Sequence, residues 1–241
     1  MSGHNKWSKV KNVKGKEDAK RASIFTKMSR AIMVATREGG PDPEYNSSLQ
    51  SAIEKAKAEN MPNDNIERAI KKGSGELGNA EFFSIVYEGY APEGVAVIVE
   101  TLTDSKNRTA GEMRYIFDRN GGNLGNPGSV TFQFDHKGIL VIDAEGKDED
   151  EVMMDALEAG AEDVKKEEDI FLITTLPADF IEVSKNLQEK GYTFTSAQVG
   201  YLPKNKVKVE DPEANAKIDK LISDLEDNDD VQDVYSNWEE A

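Results

Sequence analysis

The sequence contains no cysteine among its 241 residues, which excludes disulfide bonds, thiolate chemistry and cysteine-based zinc sites. It has two histidines, His4 in a basic stretch and His136 in a predicted turn over residues 135–138, and neither is placed for acid–base catalysis. No apolar run approaches the roughly 18 residues of a membrane helix, and no secretory signal is visible. These absences predict a cytoplasmic protein that has no membrane partner and is not an enzyme.

Positive charge is scarce overall, because 30 Lys and Arg residues stand against 46 Asp and Glu residues for a formal net charge of -16. Residues 1–72 nevertheless carry fifteen basic and nine acidic residues, a net charge of +6, whereas residues 73–241 carry a net charge of -22. Clustered Lys and Arg side chains gain free energy by displacing the counterions condensed on phosphates. The sequence therefore predicts a nucleic-acid partner, DNA or ribosomal RNA, for the N-terminal part.

Residues 1–21 form a predicted basic arm, which has too few apolar side chains to offset the entropy of ordering at least as far as Lys16. Trp7 either stacks on an exposed base or anchors the arm on its own domain. The side chains predicted to contact nucleic acid lie in the arm and on one face of the following helix: Lys6, Trp7, Lys9, Lys11, Lys14, Lys16, Lys20, Arg21, Lys27, Arg30 and Arg37. The alternative for the helix is that its basic stripe is only a solvated face.

Residues 22–76 are predicted to form a three-helix domain, with Ser23 as the N-cap of the first helix. The apolar spacing predicts a common core from Phe25, Met28, Ile32, Ala35, Leu49, Ala52, Ile53, Ala56, Ile66, Ala69 and Ile70. The third helix begins near Asn63 with two acids, Asp64 and Glu67, in its first turns. A base-reading helix presents Arg, Lys, Asn or Gln there, so binding of the nucleic-acid backbone through the first helix and the arm is favoured over a helix-turn-helix.

The rest of the chain alternates strands and helices. Strands over 82–90 and 95–101, a helix opened by a Thr109-x-x-Glu112 capping box, and an alternating strand through Val130, Phe132 and Phe134 make one half of a sandwich. Residues 205–241 supply its second half, so residues 77–135 and 205–241 form a split ferredoxin-like domain. Residues 136–204 repeat the pattern as an inserted ferredoxin-like domain, whose first helix is predicted to bury Val152, Met153, Ala156 and Leu157.

The predicted fold class is thus α+β: an N-terminal three-helix module plus two ferredoxin-like α/β sandwich domains, one inserted in the other. Residues 121–128 are rich in glycine but lack G-x-G-x-x-G spacing and lead into a strand, so we interpret them as a turn and not as a phosphate-binding loop. The acidic run over residues 226–230 does not match a calcium-binding loop and is interpreted as solvated negative surface. No cofactor, metal or catalytic residue is predicted.

Several ordered motifs resemble the YebC/PmpR family along essentially the whole chain. They are Gly3-His4-Asn5-Lys6-Trp7, Ile24-Phe25-Thr26-Lys27, Gly39-Gly40-Pro41-Asp42-Pro43, Asn60-Met61-Pro62, Ile66-Glu67-Arg68-Ala69-Ile70-Lys71, Tyr87-Glu88-Gly89-Tyr90, Thr103-Asp104 with Asn107-Arg108-Thr109, Gly121-Gly122-Asn123-Leu124-Gly125 and Asp230-Val231-Gln232-Asp233-Val234-Tyr235. The resemblance implies a three-domain cytoplasmic protein of the kind described as DNA-binding transcriptional regulators.

Three functions stay open at this level. The resemblance favours a DNA-binding regulator of gene expression, and family members are also assigned to translation, on ribosomes stalled at sequences such as proline runs. A mobile basic arm suits the second function because it can fold on an RNA-lined site. The third alternative is an interaction module that binds a protein or metabolite through its ferredoxin-like sheets.

Overall fold

The computed structural model describes residues 18–78 and 81–240, apart from the side chains of residues 18–21 and Ser47. The described residues divide into two compact units. The first unit contains residues 18–78, 81–130 and 211–236, and the second contains residues 131–210 and 237–240. The part of the predicted arm that includes Lys6, Trp7, Lys9, Lys11, Lys14 and Lys16 lies outside the described residues.

In chain order the described elements are α1 (Asp18–Gly39), α2 (Ser47–Ala58), α3 (Asn63–Gly73), β1 (Phe83–Tyr90), β2 (Ala96–Thr103), α4 (Lys106–Arg119), β3 (Asn123–Leu124), β4 (Phe134–Asp143), α5 (Glu149–Ala159), β5 (Asp163–Glu167), β6 (Ile170–Thr175), α6 (Phe180–Glu189), β7 (Ser196–Pro203), β8 (Val207–Val209), α7 (Pro212–Glu226), β9 (Val231–Ser236) and β10 (Trp238–Glu240). Short 3-10 turns occupy Pro92–Gly94 and Thr131–Gln133.

The three N-terminal helices share one apolar core. All of the predicted core residues of this module are buried in it or packed against it, as is Met61 between α2 and α3. Asn46 fixes the entry to α2, because its side chain accepts a hydrogen bond from Leu49 N at 3.0 Å and donates to Ala35 O at 2.7 Å. Asn60, with φ of 59°, ends the turn after α2, and Pro62 precedes α3. The predicted N-cap at Ser23 is wrong, since α1 already includes Asp18.

The sheet of the first unit has the strand order β3-β1-β2-β9, and every neighbouring pair is antiparallel. β2 is the buried central strand that its apolar run predicts. The helices α4 and α7 contact each other, and α4 also contacts β1. They bury Met113, Ile116 and Phe117 of α4 and Ile218, Leu221 and Leu225 of α7. This is a ferredoxin-like sandwich whose last helix and strand arrive from the far end of the chain.

The second unit has the strand order β5-β6-β4-β7, also antiparallel throughout, with α5 and α6 packed in its core. Its chain order β-α-β-β-α-β is that of an uninterrupted ferredoxin-like fold. A parallel pair of short strands, β8 and β10, belongs to the same unit. The predicted fold class is confirmed: α+β, with a three-helix module and two ferredoxin-like sandwiches, one inserted in the other.

Four local predictions are wrong. Val130, Phe132 and Phe134 do not share a strand, because Thr131–Gln133 is a 3-10 turn in which Phe132 is exposed and Phe134 begins β4. Residues 135–138 are not a turn, since they pair with β7. The helix after β2 begins at Lys106, which leaves Thr109 inside α4 and buried. Met153 and Leu157 are exposed on α5, because Val152, Ala156 and Ala159 form its buried stripe.

Candidate nucleic-acid interface

The basic face of α1 lies against an acidic segment of the same unit. Ser23, Lys27 and Arg30 share this face because they are four and three residues apart along the helix. The segment opposite them runs over residues 226–230, from the end of α7 to the start of β9. The Lys27 ammonium donates to the carbonyl oxygen of Glu226, and the Ser23 hydroxyl donates to Asp229 Oδ1 at 2.7 Å. Lys27, one of the predicted nucleic-acid contacts, is therefore held by this acidic segment of the same chain.

Asp230 is the centre of this contact. Its side chain is only 3% exposed and accepts from Arg30 Nη1 at 2.5 Å and from Arg108 Nη2 at 2.8 Å. Thr109 Oγ1 donates at 2.7 Å, and Thr103 Oγ1 lies 3.3 Å away. The carboxylate thereby joins α1, α4 and the end of β2 at one point. A buried charge is tolerated when opposite charges and hydrogen bonds surround it, as they do here.

The pKa values of these groups follow from their surroundings. Burial acts to raise the pKa of Asp230, but hydrogen bonds from Arg108, Thr109 and Arg30, with the charge of Arg30, hold it below its ordinary value. Hydrogen bonds to Asp230 and Asp104 raise the pKa of Arg108. Burial lowers the pKa of Lys27, although the neighbouring carboxylates, Glu226 first, oppose the change. The site therefore keeps Asp230 ionised at neutral pH.

Two interpretations from the sequence need correction at this contact. The basic stripe of α1 is not simply a solvated face, because the side chain of Arg30 is 15% exposed and ion-paired. The acidic run over residues 226–230 is not simply solvated surface either, because Asp230 is buried. The predicted contacts of Lys27 and Arg30 with phosphate stay a prediction, and they require these side chains to exchange an internal partner for an external one.

Further cations of the helical module are Arg37, three residues of α3 and two residues in the last turn of α2. Arg37 lies in the last turn of α1 and is exposed. Three cations of α3, Arg68, Lys71 and Lys72, are exposed as well, and Lys55 and Lys57 occupy the last turn of α2. Cations in a last helical turn are favoured by the helix dipole. Of these cations, only Arg37 was predicted from the sequence as part of the site. The Lys71-Lys72 pair before Gly73 was a signal that could have identified the cations of α3.

The glycine-rich loop over residues 121–128 is held by a buried carboxylate. Glu88 on β1 accepts hydrogen bonds from Gly128 N at 2.6 Å and Val130 N at 2.8 Å, and its carbonyl accepts from Gly125 N at 2.7 Å. These amides are the groups that a phosphate-binding loop directs at its ligand. Glu88 already occupies these amides. The interpretation of residues 121–128 as a single turn is incomplete, because Asn123–Leu124 is the short strand β3 between two turns.

The histidine and the acidic side chains in the described part of the chain form no metal-binding group. His136 lies on β4 with its ring centroid 5.0 Å from that of Tyr201 on β7, a packing contact. Within residues 18–78 and 81–240, no group of three or more His, Asp or Glu side chains is placed to hold a metal ion. No helix in those ranges is both long enough and apolar enough to cross a bilayer.

Fold and site together define an α+β protein in which a small cationic helical module is attached to two acidic ferredoxin-like sandwiches. The N-terminal domain model of the TACO1/YebC protein matches residues 5–76, and the model of the TACO1/YebC second and third domain matches residues 82–238. The chain belongs to the TACO1/YebC family. The predicted family resemblance is therefore confirmed.

Curated relatives carry the name "Probable transcriptional regulatory protein". One from Finegoldia magna is 61% identical over 239 residues, which are 99% of each chain. Another from Clostridioides difficile is 58% identical over 229 residues, covering 95% of this chain and 96% of the relative. Among solved structures, that of the conserved hypothetical protein Aq1575 from Aquifex aeolicus matches with a TM-score of 0.88 and 46% identity over 98% of both chains. At the level of the family, this chain is a regulatory protein.

Proposed function

We propose that this protein is a non-enzymatic, nucleic-acid-binding regulator of gene expression that acts in the cytoplasm through its arm and helical module. The observation that carries the proposal is the separation of charge, +6 over residues 1–72 and -22 over the rest. A polyanion is attracted to the first part and repelled by the second, so the charge distribution orients the protein on its target. The name of the relatives refers to transcriptional regulation, so the target that we propose first is duplex DNA.

A second candidate, a ribosome-associated role in translation, is favoured by the chemistry of α3. Its first turns present Asp64 and Glu67, both exposed, where a helix entering the major groove presents base-reading side chains. Two carboxylates there disfavour sequence readout of a duplex, so contact with nucleic acid falls to the arm and α1, which suit an RNA-lined site.

The test compares ribosome co-sedimentation with duplex gel shifts at about 150 mM salt, near physiological ionic strength. The wild-type chain is compared with a variant in which Lys6, Lys9, Lys11, Lys14 and Lys16 are replaced by Gln. A matched control replaces five exposed lysines of the acidic part by Gln: Lys165, Lys185, Lys206, Lys208 and Lys217. We expect the arm variant to lose binding and the control to keep it.

The two assays separate the candidates. Tight binding to promoter-sized duplex, without ribosome association, would establish the DNA-binding function. Arm-dependent ribosome association beside weak, salt-sensitive duplex binding would establish the translational one. If neither target is bound, or if the control loses as much binding as the arm variant, the proposal is wrong.

A further inference from the structure

A cavity of about 360 Å³ lies between α1, α3 and Phe82, the residue just before β1. Its volume is within the range of about 300–1,000 Å³ that small-molecule sites occupy. Of the described residues that line it, three are cations, Arg30, Arg68 and Lys72, and none is acidic. In a chain of net charge -16, an all-cationic lining indicates an anionic ligand.

Among the residues that the structure describes, two of these cations have no internal partner to neutralise them. Arg30 is paired with Asp230, but Arg68 and Lys72 form no ion pair within residues 18–78 and 81–240. They are one helical turn apart on α3, a spacing at which like charges repel each other. An anion between them would remove that repulsion and would accept hydrogen bonds from both.

The remaining lining suits a planar, polar ring. Phe25 and Phe82 provide aromatic surfaces, and the Arg30 guanidinium lies 5.7 Å from the centroid of the Phe82 ring. The Asn65 side chain also lines the cavity, and within the described residues its amide has no hydrogen-bond partner. An amide offers both donors and an acceptor, which is what recognition of a base edge requires.

We propose that this cavity binds one nucleotide, with its base against Phe82 and Phe25 and its phosphate between Arg68 and Lys72. The base gains a stacking surface, and the phosphate neutralises the two unpaired cations. The cavity is too small for a duplex, so the nucleotide comes either from an unpaired position in a strand or from free solution. The first source rests on the proposed nucleic-acid binding, whereas the second does not.

The experiment uses the full-length protein and two probes. The first is a single-stranded RNA of twelve nucleotides with one central 2-aminopurine, followed by fluorescence. The second is the set of free mononucleotides AMP, GMP, CMP and UMP, with adenosine as the probe that lacks phosphate, followed by calorimetry. The variants are Arg68→Ala, Lys72→Ala and Phe82→Leu, the last of which keeps an apolar side chain but removes the ring. Thermal unfolding checks that each variant is folded.

Lys71→Ala is the matched control, because Lys71 is the exposed neighbour of Lys72 on the same helix but does not line the cavity. We expect Arg68→Ala, Lys72→Ala and Phe82→Leu each to weaken binding about tenfold, as loss of a charged hydrogen bond or an aromatic stack does. Lys71→Ala should weaken it no more than about threefold, the effect of a general phosphate attraction. Adenosine should bind at least about tenfold more weakly than AMP.

The outcomes separate this site from the proposed function. Strand binding that is equally affected by Lys71→Ala and Lys72→Ala, and unaffected by Phe82→Leu, would overturn the nucleotide site and leave nucleic-acid binding standing. Free mononucleotides that bind with the expected sensitivity, without any strand, duplex or ribosome binding, would support the site and overturn the proposed function. Binding of neither probe, or adenosine binding equal to that of AMP, would overturn the site.

Discussion

At the scale of single residues, Asp230 shows how one buried carboxylate can join separate parts of a chain. Arg30 reaches it from the helical module, while Arg108 and Thr109 reach it from α4. Its backbone contributes too, since Asp230 O accepts from Leu102 N at 2.8 Å. Removing the carboxylate would leave Arg30, whose side chain is only 15% exposed, without its partner charge, and an unpaired charge is the costly half of such an ion pair.

We therefore expect Asp230→Asn to lower the free energy of unfolding by about 2–3 kcal/mol at neutral pH, measured by urea denaturation. The value lies below that of a fully buried pair because Arg108 is 44% exposed and water screens its contribution. Asp227→Asn, an exposed carboxylate three residues away, should change it by less than about 0.5 kcal/mol. Equal effects of the two substitutions would contradict the assigned role of Asp230.

The same contact predicts a pH dependence of stability. The pKa of Asp230 is lower in the folded than in the unfolded chain, so its contribution is fully present above the ordinary Asp value of about 3.9. It is lost as the pH falls from there through the folded-state pKa. The difference in unfolding free energy between wild type and Asp230→Asn should therefore shrink in acid, below about pH 4. A difference in unfolding free energy that stays constant from pH 7 to pH 3 would contradict this contribution of the Asp230 carboxylate.

At the scale of elements, the close approach of α3 to α1 depends on a glycine. Gly73 is the last residue of α3, and a Cβ atom there would lie 2.6 Å from Met33 O and 2.7 Å from Thr36 Cβ, both on α1. The first of these neighbours is backbone, so it cannot move aside without displacing α1. Gly111 in α4 is the opposite case, because nothing lies within 4 Å of a Cβ added there.

Gly73→Ala and Gly111→Ala should accordingly change the free energy of unfolding in opposite directions. We expect Gly73→Ala to destabilise the protein by about 1–3 kcal/mol through overpacking, despite the better helix propensity of Ala. Gly111→Ala should stabilise it by about 0.5–1 kcal/mol, since only the propensity changes. Chemical denaturation of the two variants and the wild type measures both values. If both stabilise the protein, α1 and α3 do not pack as closely as described.

At the scale of the whole molecule, the chain separates charge between its N-terminal part and the rest. A cationic part of net charge +6 precedes residues that carry -22. Binding by such a protein should be strongly salt-dependent, because counterions are released from the nucleic acid at each phosphate contact. The acidic part limits non-specific contacts, since it is repelled by any polyanion that approaches it.

Removal of a single arm lysine should therefore reduce the salt dependence of binding by the contribution of one phosphate contact. We expect Lys9→Ala to reduce the slope of log K against log salt by about 1 and to weaken binding whatever the nucleic-acid sequence. Lys208→Ala, an exposed lysine on β8, should leave the slope unchanged. Titrations at several salt concentrations measure both. A loss confined to one target sequence would indicate base readout in place of a phosphate contact.

Much of the architecture could be predicted because periodicity is local. Apolar residues recur every three or four positions around Ile32, Leu49 and Ile66. This helical spacing is enough to identify the three helices and the faces that they bury. The order of strands and helices was likewise enough to recognise two ferredoxin-like sandwiches, because few arrangements bury such a set of elements. Predictions failed where local signals competed, as at Thr109, which has capping-box spacing but lies buried beside Asp230.

The sequence by itself determined the charge separation, the helical core and the absence of cysteine chemistry, since these depend only on composition and short-range pattern. Only the tertiary structure decided which cations are available. The sequence predicts that Lys27 and Arg30 lie on an open basic stripe. In the structure, residues about 200 positions away in the chain supply a carbonyl partner for Lys27 and a carboxylate partner for Arg30. Arg68 and Lys72 were not predicted, yet they line a cavity and have no ion-pair partner in the described part of the chain. Such pairings join residues distant in sequence, so no local pattern can reveal them.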